Sequence, residues 1–379
     1  MARVGLVAGE TSGDLLGGHL ITALKTRLST IQFEGVAGPR MAEAGCRALY
    51  SSDRLAVNGY VEVLRHLPGL LALRGNLARH FLHTRPDVFV GIDAPDFNFA
   101  LEERLKHARI PTVHFVSPSL WAWRGERIRK IKRAVSRMLV MFPFEAEIYA
   151  KSDIPVNYVG HPLADLLPLK PDQTAARRGL GLPLAGELVG LLPGSRAGEV
   201  KRLLPTLLET ARMLVNARPD LRFVLPVAGE AVSAIINSLV GPSGLPITLT
   251  AGPSSQEAMT AADVLVLASG TATLEAALLK KPMVIAYKLP GLTYAIMKRQ
   301  AYLPWVGLPN ILLKRFAVPE LLQDQATPEA LARAALAWLD EPQRVAALKQ
   351  DFLVLHQTLR CNAAERIAEA LLPYLQNKS

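Results

Sequence analysis

A chain of 379 residues is too long for one ordinary core, so two domains are expected. Half of it is hydrophobic, but it has no long unbroken apolar run of the kind a membrane-spanning helix needs. A net charge of +10 favours an anionic partner. Nucleic acid is the weakest choice, because no zinc-finger spacing, RRM-type aromatic motif or basic tail accompanies the charge.

The first predicted strand, 3–8, starts so early that no signal peptide is expected. Cys46 and Cys361 lack partners at metal-ligand spacing and read as reduced thiols of a cytoplasmic protein. After the strand comes AGETSGDLLGG (8–18), then a helix predicted over 14–24. The glycines at 9, 13, 17 and 18 invite a phosphate-loop reading. Their spacing fits neither a Walker loop, which ends in Lys-Ser/Thr, nor GxGxxG. An ordinary strand–helix turn remains open, with Thr11 or Ser12 as the helix cap.

A strand at 32–37 follows, then VEVLRHLPGLLALRGNLARHFLH (61–83). Leu67, Leu70, Leu71, Leu73, Leu77 and Phe81 spread over about half a helix circumference, with Arg65, Arg74 and Arg79 among them and Pro68-Gly69 interrupting the run. Two readings stand: a core helix, or a surface helix dipping into anionic lipid with snorkelling arginines. Strands at 88–92, 112–116, 138–141 and 157–159 complete the first series. Between them, residues 121–137 carry seven Arg or Lys against one acid, as a solvated helix face would.

After a polar stretch at 168–178 the alternation restarts, with strands at 188–192, 222–226, 247–249, 264–268 and 283–286 and helices at 200–216 and 271–279. This pattern predicts an α/β chain of two doubly wound, Rossmann-like domains, with ligands in the cleft outside the strands' carboxyl ends. The expected division is 1–166, 167–340 and a helical segment 341–379 returning to the first domain.

Chemistry-bearing residues cluster just after strands. Ser269, Gly270 and Thr271 form a turn into a helix whose free amides attract an anion, and Glu275 one turn in suits a ribose diol. PGSR supplies a second Gly-Ser turn, with Ser195 and Arg196, a guanidinium suited to phosphate. Together they fit a nucleoside diphosphate. In the first domain Asp93 ends a buried strand, a partly desolvated place that suits a carboxylate to general-base work. Glu10 is a second candidate base, and Asp93 or Asp96 could instead cap the following helix. Glycosyl transfer would use this arrangement directly. With no DxD pair and no His/Asp cluster at metal spacing, no metal or other cofactor is expected.

VAGETSGDLLG, GVAGPRM, FVGIDAPDFN, VSPSLWAWR, YVGHPLAD, LLPGSR, ASGTATLEA, LPNILL and HQTLRCNAAERIAEA, in this order, closely resemble the lipid-A-disaccharide synthase family over nearly the whole chain. The resemblance implies a metal-independent GT-B glycosyltransferase. It would transfer 2,3-diacylglucosamine from its UDP form to 2,3-diacylglucosamine 1-phosphate, with inversion, giving a β-1,6 disaccharide 1-phosphate and UDP. It also implies a monomer or homodimer lying peripherally on the cytoplasmic face of the anionic inner membrane, with Leu70, Leu73, Arg74 and Leu77 as membrane contacts. Asp93 would be the base, and Glu10 would touch a substrate hydroxyl or amide. Gly9 and Gly13 would let the first loop approach the sugar, with Ser12 and Asp14 ordering it. Ser195, Arg196, Ser269, Gly270 and Thr271 would surround the diphosphate, Glu275 would take the ribose, and Asn310 would line the donor pocket. The alternatives are a UDP-N-acetylglucosamine 2-epimerase-like enzyme of the same fold and, in another class, a two-lobed ligand-binding protein without turnover.

Overall fold

Runs such as VFVGI and LVGLL are buried at every position, which suits strands covered by helices on both faces of a parallel sheet. The computed structural model describes residues 1–9, 11–55, 60–118, 127–252, 254–289, 291 and 303–376, with the backbone alone at 11 and 60–66. It divides into one unit of Met1–Asp165 with Leu359–Ser379 and another of Leu166–Thr358.

The first unit holds strands β1 (Ala2–Ala8), β2 (Ile31–Ala37), β3 (Cys46–Ser51), β4 (Val88–Ile92), β5 (Thr112–Phe115), β6 (Arg137–Val140) and β7 (Val156–Tyr158). Their order in the sheet is β3-β2-β1-β4-β5-β6-β7, and neighbouring strands pair parallel. Alternate side chains sort to two layers. Val4, Leu6, Val88, Val90 and Ile92 pack with Leu20 and Ile21 of the helix Thr11–Arg27 and with Ile367 and Leu371 of the last helix, Ala363–Gln376. Val7 and Phe89 face the other way, onto Leu77 and Phe81 of the helix Tyr60–Thr84 and Leu101 of Pro95–His107. The Asp165 carboxylate accepts the backbone N–H groups of Asn362 and Ala363, fixing the start of that last helix.

The second unit holds β8 (Leu188–Leu192), β9 (Arg222–Pro226), β10 (Ile247–Thr250), β11 (Val264–Ala268), β12 (Met283–Tyr287) and β13 (Glu320–Leu322), in the order β10-β9-β8-β11-β12-β13 and again parallel. The helix Pro342–Leu359 belongs to this unit as far as Thr358, so of the segment from 341 onward the first unit takes the final helix.

Each strand order reverses direction once: between β1 and β4 in the first sheet, and between β8 and β11 in the second. Beyond the carboxyl ends of such a strand pair the connecting helices depart to opposite faces, which leaves a crevice.

Candidate active site

The first crevice is bordered by the turns after β1 and β4. Asp93 and Ala94 follow β4 in left-handed backbone, with φ of 54° and 43°. Neither is glycine, so the turn costs about 1–3 kcal/mol per residue and persists because its surroundings hold it. The Asp93 N–H donates to the Phe115 carbonyl at 2.9 Å, and the Asp93 carbonyl accepts from Asn98 Nδ2 at 2.8 Å. Val116, directly after β5, is β-branched and yet sits at φ 82°. Asp96 is exposed and lies 3.2 Å from the Arg127 guanidinium, whereas Asp93 is half-buried beside the strand end.

Gly9 reaches this point from β1. A Cβ there would stand 2.3 Å from the Cβ of Ala94, so only glycine allows the two turns to touch. The helix then begins at Thr11, earlier than expected, and Ser12 is exposed in its first turn. Gly13 is buried, and Gly17 packs on Met41. Asp14 orders a different loop from the one expected. Its buried carboxylate accepts the N–H groups of Gly38, Arg40 and Met41 at 2.8, 2.9 and 3.0 Å, which pins the turn after β2. Glu10 lies outside the described residues, as does part of the basic stretch, 121–126.

The second crevice is a cavity of about 560 Å³ walled by the turns after β8 and β11. Ser195, Arg196, Ser269, Gly270, Thr271 and Glu275 all line it, so two turns separated in sequence, and a glutamate about one helical turn past the second, meet in one place. Arg196 begins the helix Ala197–Ala217, and its side chain is 63% exposed, 3.4 Å from the Glu199 carboxylate. Gly270 begins the helix Thr271–Leu278 at φ 153°, ψ −162°, a conformation essentially confined to glycine. Neither residue caps its helix with a side chain, so both N-termini present amides and a positive dipole end. Burial raises the Glu275 carboxyl above the usual range, against a lowering hydrogen bond from Gln256. Glu199, Val227, Gly252 and Met259 also line the cavity and were not singled out in the sequence. Their only signal is position: Val227 and Gly252 come just after β9 and β10.

Two expectations are corrected. Asn310 does not line this cavity. It is fully buried, with Nδ2 donating to the Val318 carbonyl and Glu320 Oε1, and Oδ1 accepting from the Ala317 and Val318 N–H groups. All its hydrogen-bonding capacity is used in holding the turn that follows its own helix. Leu73 and Leu77 are 5% and 0% exposed in the core of the first unit, so they are not membrane contacts. The helix also continues through Pro68. Among its described side chains the exposed leucines are Leu67, Leu71 and, near its end, Leu82, at 41%, 47% and 39%, while Leu70 and Arg74 are half-buried between the two faces. Burial lowers the Arg74 pKa, with Arg104 adding to the effect. Among the described residues no helix is long and apolar enough to cross a membrane.

A family model described as Lipid-A-disaccharide synthetase matches residues 4–371. A protein of Thiobacillus denitrificans named lipid-A-disaccharide synthase is 58% identical over 371 residues, covering 98% of this chain and 99% of its own. Another of that name, from Methylobacillus flagellatus, is 51% identical over 379 residues, 99% of this chain and 100% of its own. Among solved structures, the glycotransferase of kitacinnamycin matches with a TM-score of 0.64 at 18% identity, over 98% of this chain and 99% of that one. UDP-GlcNAc 2-epimerase from Neisseria meningitidis, bound to UDP-GlcNAc, matches with a TM-score of 0.66 at 12% identity, over 98% and 100%. At such identities the structural likeness speaks for the fold alone: two doubly wound units of GT-B type.

Proposed function

Since this chain belongs to the lipid-A-disaccharide synthase family of glycosyltransferases, we propose that it transfers 2,3-diacylglucosamine from UDP to 2,3-diacylglucosamine 1-phosphate. The products are the β-1,6-linked disaccharide 1-phosphate and UDP, with inversion at the anomeric carbon. The observation that carries this reading is the division of chemistry between the two strand-order reversals. One holds a carboxylate on a strained turn, and the other holds Arg196, two Gly-Ser turns and two helix N-termini around a cavity.

The residues fall into roles by charge. As the acceptor hydroxyl attacks the anomeric carbon, Asp93 takes its proton, and the bond from that carbon to the diphosphate oxygen breaks. The departing diphosphate gains negative charge, which Arg196 and the amides at Thr271 and Ala197 stabilise. Ser195 and Ser269 donate to the same phosphates, and Glu275 accepts the ribose hydroxyls. The ion pair of Asp96 with Arg127 makes it the poorer base of the two aspartates. Gly9 lets the first loop close against the Asp93–Ala94 turn, and Ser12 offers the acceptor sugar a hydroxyl. Glu10 is the second candidate carboxylate. The exposed Leu67 and Leu71 seat the first unit on an anionic membrane surface, bringing the acyl chains of both substrates within reach.

The test is an incubation with both lipid substrates in detergent micelles containing EDTA, following UDP and the mass of the lipid product. UDP released only when both substrates are present, with a disaccharide of summed mass, is the expected result. UDP released without acceptor would point instead to hydrolase or epimerase chemistry, and donor binding without turnover to a binding protein.

A further inference from the structure

Beneath Asp93 lies a polar cluster that the reaction above does not use. His114, in the middle of β5, and Glu102, on the helix Pro95–His107, are fully buried, with His114 Nδ1 2.8 Å from Glu102 Oε1. Asn98, one helical turn before Glu102, is buried as completely. Glu102 Oε2, His114 Nε2 and Asn98 Oδ1 have no hydrogen-bond partner among the described residues. Both helix side chains rest against the bare Cα of Gly91. A Cβ there would stand 2.2 Å from Glu102 Oε1 and 3.0 Å from Asn98 Cγ. Unpaired polar atoms in a core cost free energy, and a buried ionisable pair is weak support for stability. Natural chains tolerate such departures chiefly where a site needs them.

One contact leads from this cluster to the site. Asn98 Nδ2 donates to the Asp93 carbonyl at 2.8 Å and reaches the Val7 carbonyl at 3.4 Å. Val7 and Asp93 stand at the ends of β1 and β4, the two strands between which the sheet order reverses. A single carboxamide therefore ties both strand ends at the crevice. It also fixes the peptide that follows Asp93, while the Phe115 carbonyl fixes the peptide before it. The left-handed pair Asp93–Ala94 is held between these two bonds.

We propose that Asn98 is the positioning residue for Asp93. Its carboxamide holds the strained turn in the one geometry that presents the carboxylate to the acceptor hydroxyl, and Gly91, Glu102 and His114 form the packed floor that keeps the carboxamide in place. This rests on the reading of Asp93 as the base.

The experiment is a double-mutant cycle of Asn98→Ala and Asp93→Asn, measuring kcat, KM for each substrate, UDP affinity and melting temperature. Asn98→Ala is expected to bind UDP as the wild type does and to lose kcat by roughly 10- to 100-fold, the effect of a small misplacement of a reacting group. In the Asp93→Asn background it should cost nothing further, because both residues act through one carboxylate. The same fold-loss in both backgrounds would overturn the positioning role and leave Asp93 as the base. Wild-type turnover in Asp93→Asn would remove the base itself, and the proposal with it. Should Asn98→Ala fail to fold, Asn98→Ser is read in the same way. A kcat loss confined to the background that keeps Asp93 supports the proposal, and an unchanged kcat overturns it.

Discussion

At Asp14 a single carboxylate satisfies three backbone N–H groups of another loop. Removing it strands those donors in a buried place, so Asp14→Ala should lower stability by about 3 kcal/mol. Urea unfolding measures this, and UDP affinity should stay unchanged, since the cavity proposed for the nucleotide belongs to the other unit. A stability within experimental error of wild type would show that water replaces the carboxylate there. The sequence placed Asp14 among glycines but could not name its partners, because they lie 24 to 27 residues further on and meet it only through the packing of two turns. Asn310 was misplaced for a related reason. An amide that lines a pocket and an amide saturated by its own loop have the same neighbours in sequence. Ser195, Arg196, Ser269, Gly270, Thr271 and Glu275 were legible because their positions after strands already determine where they meet.

The helix Tyr60–Thr84 differs between its faces. Leu73 and Leu77 complete the core, and Leu67 and Leu71 are exposed on the same helix. Leu77→Ser should therefore cost about 3 kcal/mol of stability, as a large-to-small and polar change in a core does. Leu67→Ser with Leu71→Ser should leave the melting temperature within a degree or two and weaken co-sedimentation with anionic vesicles. Unchanged vesicle binding would take this face out of the membrane contact. Periodicity found all four leucines but gave them one arc, because the half-buried Leu70 and Arg74 bridge the two faces. Among the strands, β3 and β13 escaped prediction, and both are sheet edges. β3 reads CRALYS, with Cys46 its one buried residue, and β13 has three residues, so neither shows the unbroken apolar run that marked the central strands.

For the whole molecule, the two units repeat one solution with opposite chemistry. Each sheet reverses its strand order once, and each reversal gathers the residues that carry charge: a carboxylate in the first unit, a guanidinium and helix N-termini in the second. The alternation of strands and helices was enough to read this architecture, since parallel strands with short connections leave few topologies. The strain at Asp93 and Ala94 and the polar cluster beneath them were not readable, because they arise where β1, β4, β5 and the helix Pro95–His107 meet in the packed sheet. In the proposed reaction donor phosphates and acceptor deprotonation are handled by different units. Calorimetric titration of UDP into Asp93→Asn and Arg196→Ala, beside their turnover, tests this division. Asp93→Asn should bind UDP as the wild type does while turnover falls roughly 1000-fold, and Arg196→Ala should lose UDP affinity. Weakened UDP binding in Asp93→Asn, or wild-type binding in Arg196→Ala, would contradict that division.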